Sequence, residues 1–103
     1  MDESITKHFE QQQVGTLKLS DAIRIGAKLR PQCSHFYHAN GASCALGAAW
    51  EALTGMTYAE VGISRTLTQR FQLPFNKTIE IMNRNDAGQT REQIADWLEA
   101  QGY

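Results

Sequence analysis

From Ser20 to Arg30 the residues Ala22, Ile25, Gly26 and Leu29 recur at intervals of three and four, while Arg24 and Lys28 share the opposite side. That spacing predicts an amphipathic helix. Ser20 is a favourable cap, Asp21 suits the positive end of the helix dipole, and Pro31 stops the helix by disfavouring helical backbone at the residue before it. From Ser43 to Leu53 the pattern changes, because Cys44, Ala45, Leu46, Ala48, Ala49 and Trp50 leave almost no polar face except Glu51. A helix that is apolar nearly all round belongs at the centre of a domain. Its small residues, Ala45, Gly47, Ala48 and Ala49, let neighbouring helices approach closely, and Gly55 is placed to end it.

Shorter signals follow. Thr57-Tyr58-Ala59-Glu60 reads as a capping box opening a brief helix, with Met56 and Val61 placed as a hydrophobic staple. Ser64 opens another helix carrying Leu67 and Phe71 four apart, and Leu73-Pro74 ends it. The stretch from Asn76 to Asn85 fits two patterns: Ile79 and Ile81 alternate like a strand, whereas Ile79 and Met82 keep helical spacing. Thr90-Arg91-Glu92-Gln93 is a second capping box, opening a helix with the apolar stripe Ile94, Trp97 and Leu98, and Gly102 can terminate it. Residues 1–16 are polar, with a Gln11-Gln12-Gln13 run, and read as an N-terminal arm or a short helix carrying Ile5 and Phe9. The expectation is a mainly α fold: a compact single domain over 17–103, of four to six short helices around a central apolar helix at about 43–54.

Length and composition fit that expectation. A chain of 103 residues matches one domain, and folding at this size hides about 65% of the unfolded surface, enough for a core without covalent staples. Ten Lys and Arg against 11 Asp and Glu leave a net charge of −1, without the basic excess of a nucleic-acid-binding protein. Residues 64–91 are locally basic, with Arg65, Arg70, Lys77, Arg84 and Arg91 against Glu80 and Asp86, and predict a mildly positive surface. No run approaches the roughly 20 apolar residues of a membrane helix. The acidic start, Met1-Asp2-Glu3-Ser4, lacks the order of a signal peptide, so a cytoplasmic location and unbridged thiols are expected.

The densest collection of reactive side chains lies in residues 33–44. Cys33, His35, His38 and Cys44 include both cysteines and are a candidate zinc set, since zinc takes four such ligands in a tetrahedron. Their C-x-H-x2-H-x5-C spacing is unlike the usual knuckles, and the plainer alternative is a flexible, partly exposed loop with one core cysteine. Cys44 at a helix start is also a candidate reactive thiol, with His35 or His38 as base, although no third orienting residue can be assigned. Asn83 and Asn85 resemble the opening of a calcium loop, but Ile94 stands where the bidentate glutamate is required. Gln93–Leu98 resembles the first helix of a helix-turn-helix, yet no recognition helix follows it.

Three blocks occur in order: Leu19-Ser20-Asp21-Ala22-Ile23-Arg24 with Arg30-Pro31-Gln32; Ser43-Cys44-Ala45-Leu46-Gly47-Ala48-Ala49; and Asn85-Asp86, Gly88 and Thr90–Leu98. Together, across roughly residues 17–100, they resemble a group of short uncharacterised bacterial and prophage proteins. The resemblance implies the same segmentation and no particular activity. Some members of the group carry an extra cysteine pair where this chain has Phe71-Gln72-Leu73-Pro74-Phe75. The expected function is a small non-enzymatic protein–protein interaction or regulatory module of bacterial or phage origin, acting on a protein partner or on a second copy, without membrane, nucleic acid or cofactor. Four Phe, three Tyr and two Trp either leave an apolar contact surface for such a role or pack inside the domain. The alternative is a zinc-binding or reactive-thiol protein centred on residues 33–44.

Overall fold

The computed structural model describes residues 17–59 and 62–103. Expectations for residues 1–16, Glu60 and Val61 lie outside that range. The described chain forms α1 (Leu19–Ala27), a hairpin of β1 (His38–Ala39) and β2 (Ala42–Ser43), then α2 (Ala45–Thr54), α3 (Ile63–Phe71), α4 (Phe75–Asp86) and α5 (Arg91–Ala100). It is a mainly α domain. The apolar α2 is its central helix, packing against α1, α3 and α4, while α5 packs against α1 and α4. Among the described residues no helix is long and apolar enough to cross a membrane.

Helix α1 buries a face rotated from the expected one, keeping Ala22 and Gly26 and replacing Ile25 and Leu29. Leu19, Ala22, Ile23 and Gly26 point inward, whereas Ile25 and Leu29 are 42% and 55% exposed. The reason is the crossing with α2. A β-carbon on Gly26 would lie 1.8 Å from the Ala48 carbonyl oxygen, so the two backbones touch at this point and the face centred on Gly26 must be the inner one. The face also starts earlier than Ser20. Leu19 belongs to it, Asp21 accepts the Lys18 amide at 3.3 Å, and the buried Ser20 amide donates to the Tyr103 carbonyl at 3.0 Å.

The helix ends follow local chemistry. Gly55 closes α2 at φ 74°, its amide donating to Glu51 O at 2.7 Å. The N-cap of α2 is Cys44, whose sulfur accepts the Gly47 amide at 3.4 Å. In α5 the reciprocal box forms as expected: Thr90 Oγ1 accepts Gln93 N at 3.1 Å, and Gln93 Oε1 accepts Thr90 N at 2.9 Å. The ambiguous stretch at 76–84 is helix within α4, burying Thr78, Ile81 and Asn85. No helix forms at Thr57–Ala59; this strap is held across α2 by Trp50 Nε1, which donates to Tyr58 O at 2.9 Å.

Residues 31–44 are pinned rather than loose. Asn40 and Gly41 have φ of 52° and 78°, the two left-handed residues of the tight turn that suits the twist of a hairpin. His38 pairs with Ser43 and Ala39 with Ala42. Segment 31–33 then lies along β2, Ser43 N donating to Pro31 O at 2.9 Å and Cys33 N to Ser43 O at 3.0 Å. Gly47 meets the hairpin so closely that a β-carbon would sit 2.0 Å from Tyr37 O.

Gly26→Ala tests the α1–α2 contact. Helix propensity alone favours alanine by about 1 kcal/mol, but the added carbon must push two backbones apart. The expected outcome is a net loss of about 2 kcal/mol or more, seen as a lower urea midpoint with unchanged slope.

Candidate functional site

A network of polar groups, reaching the site through Asn85, lies beneath it. Asn85, 1% exposed, accepts Ala45 N at 3.0 Å and Gln32 Nε2 at 3.1 Å on its oxygen, and donates to Cys33 O at 2.9 Å. Gln32 Nε2 also donates to Gln89 O at 2.7 Å, while Gln32 Oε1 accepts Arg91 N at 3.2 Å. The Arg91 guanidinium, in a residue 6% exposed, donates to Arg30 O at 2.8 Å, Ala27 O at 3.2 Å and Ser43 Oγ at 2.9 Å. Ser43 therefore serves Arg91 and leaves the cap of α2 to Cys44. The sequence pattern places Asn85 only at the end of the stretch from Asn76 and gives no signal of this cluster, since its members lie up to 64 positions apart.

The expected basic surface is correspondingly smaller. Arg91 is internal. Arg84 and Lys77 lie over the Trp97 ring, 3.9 and 4.8 Å from its centroid, and both reach Glu80. Arg24 bridges to Asp96 at 2.7 Å and Glu99 at 3.0 Å, tying α1 to α5.

The four candidate zinc ligands are drawn to separate partners. Cys33 Sγ donates to Phe36 O at 3.3 Å, and Cys44 Sγ takes the Gly47 amide. His35 Nδ1 lies 3.4 Å from Asp86 Oδ2, and His38 Nε2 lies 3.4 Å from Glu51 Oε1. Among the described residues no group of three or more His, Cys, Asp or Glu side chains is placed to hold a metal ion. Burial pushes the Cys44 thiol up, outweighing the helix amides that pull it down, which is opposite to an activated nucleophile.

His35, His38 and Cys44, without Cys33, line an open cleft of about 750 Å³ between the hairpin, the start of α2, the strap at 57–59 and α4. Met82 and a small part of Ile63 contribute apolar surface over the buried Leu46 and Ile81, and Phe36, Tyr37 and Tyr58 add aromatic rings. Phe36 and Tyr58 are 64% and 66% exposed. His35 sits at φ 71°, a left-handed conformation that costs about 1–2 kcal/mol without glycine, and its amide is held by Asp86 Oδ1 at 2.9 Å. His38, with a side chain 10% exposed, also lines the cleft, its Nε2 turned to Glu51 Oε1 at 3.4 Å.

Behind the hairpin, Arg30 forks onto Glu51 at 2.7 and 2.8 Å. This guanidinium holds the Glu51 carboxyl below the usual carboxylate range, against desolvation, and His38 adds to the lowering. Comparison with protein-family models, curated proteins and solved structures finds no match to the chain.

Two measurements check this description. A carboxyl with a depressed folded-state pKa contributes stability that is complete above the unfolded value, about pH 4.3 for glutamate, and lost as pH falls through the folded value. Glu51→Gln is expected to lower the melting temperature at neutral pH and to flatten the acid limb of a melting-temperature profile below about pH 4.3. Titration of the folded protein with a thiol reagent at about pH 8 should modify Cys33 and leave Cys44 protected until denaturant is added. Fast labelling of Cys44 in the native state would contradict its burial.

Proposed function

We propose that this chain is a small non-enzymatic interaction module of bacterial or phage origin, and that the cleft beside α4 seats a segment of a protein partner. The observation that carries this reading is the exposure of Phe36 and Tyr58 on an open cleft of about 750 Å³. That volume falls within the range of about 300–1,000 Å³ typical of binding clefts. Exposed aromatic rings above an apolar floor favour recognition, since they give large contact area with few rotatable bonds. Met82 adds a side chain that adapts to different contact shapes. The bacterial or phage origin rests on the three sequence blocks.

Selection of displayed random peptides against the wild type and against Phe36→Ala/Tyr58→Ala tests the proposal. Both side chains are exposed, so the double variant should keep its melting temperature within a few degrees. Peptides enriched on the wild type are expected to bind the variant about tenfold or more weakly, the loss of two aromatic contacts. Enriched peptides that bind both proteins equally would remove the cleft from the function.

A further inference from the structure

We infer that the occupant of the cleft is a basic segment: an apolar side chain of a partner protein flanked by lysine or arginine. This rests on the cleft being the partner surface, and it adds the charge and chemistry of what binds there. Apart from its two histidines, Asp86 is the only ionisable acid or base of ordinary charge at neutral pH among the described residues lining the cleft. Its oxygens take the His35 amide at 2.9 Å and lie within 3.4 Å of Asn85 Nδ2 and His35 Nδ1. A carboxylate offers about four acceptor positions, so Asp86 retains capacity for an incoming donor.

The α2 amides beside Asn85 are already committed, whereas α3 begins at the cleft residues Gly62 and Ile63 without a side-chain cap. At the start of α2, Ala45 N donates to Asn85 and Gly47 N to Cys44 Sγ. The cations nearest Asp86 in sequence are committed as well, Arg84 on Trp97 and Arg91 in the interior. A basic ligand meets the Asp86 carboxylate and the faces of Phe36, Tyr37 and Tyr58. Aromatic faces attract ammonium and guanidinium groups, and guanidinium most often. The apolar side of the cleft at Ile63 and Met82 takes the neighbouring side chain.

The test is an NMR titration of the ¹⁵N-labelled full chain with three capped tripeptides of sequence Arg-Trp-Arg, Gln-Trp-Gln and Glu-Trp-Glu. The basic peptide is expected to shift the amides of Tyr37, Leu46 and Met82 and to bind about tenfold more tightly than the acidic one. Asp86→Asn keeps an oxygen for the His35 amide and should erase most of that preference. Tyr58→Ala, which leaves intact the carbonyl that Trp50 uses, should weaken the basic peptide and serves if the first variant fails to fold. If all three peptides shift the cleft amides with equal affinity, or the acidic one binds best, the charge inference falls and the interaction reading stands. If none shifts those amides, both fall.

Discussion

The described architecture depends on one buried cation. Arg91 stands at the first position of α5, where a positive charge opposes the helix's own dipole. Its side chain leaves that end and enters the turn after α1, where Ala27 O and Arg30 O accept from it, as Ser43 does across the hairpin. Those carbonyls belong to a helix C-terminus and to the turn beyond it, where negative partial charge accumulates and a cation is favoured. Desolvation lowers the guanidinium pKa, yet arginine begins so far above neutrality that the charge stays. One side chain thereby satisfies acceptors from three segments that local hydrogen bonding leaves open.

The polar cluster extends this constraint to the cleft. Asn85 completes it from α4, holding Ala45 N at the start of α2 and Cys33 O in the preceding segment. The next residue, Asp86, carries the His35 amide. Two consecutive residues at the end of α4 thus fix the core side and the cleft side of segment 33–44. The hairpin needs such support, because two strands of two residues each cannot stand alone.

What the sequence made legible was whatever rests on near neighbours. The box at Thr90 and Gln93 spans three residues, the closing glycine of α2 acts through its own backbone, and the apolar α2 announces itself by composition. Helix α1 was only half legible: its period was right, but Ile25 and Ile23 compete for the core, and the backbone contact of Gly26 with Ala48 decides between them. For α4 the alternation of Ile79 and Ile81 mimicked a strand, and only burial of Ile81 with Ile79 left partly outside resolves it. The Asn40-Gly41 pair was a readable hairpin signal overlooked beside the more conspicuous Cys and His residues. Arg91, Gln32 and Asn85 offered no such signal, since a buried polar hub forms from partners distant in sequence.

The same separation of roles runs through the cleft. Its rim residues are held by their main chains: Phe36 O takes the Cys33 thiol, Tyr37 O takes Cys44 N, Tyr58 O takes Trp50 Nε1, and His35 N is held by Asp86. The Phe36 and Tyr58 side chains remain exposed. A rim anchored through backbone atoms can change its side chains at small cost to stability, because the hydrogen bonds that position it survive substitution. The polar hub has the opposite property, since removing any member strands buried donors or acceptors. Segment 33–44 therefore joins a part that must stay fixed for the domain to fold to a part whose side chains can be tuned for recognition. Its cysteines and histidines lie along the boundary between the two.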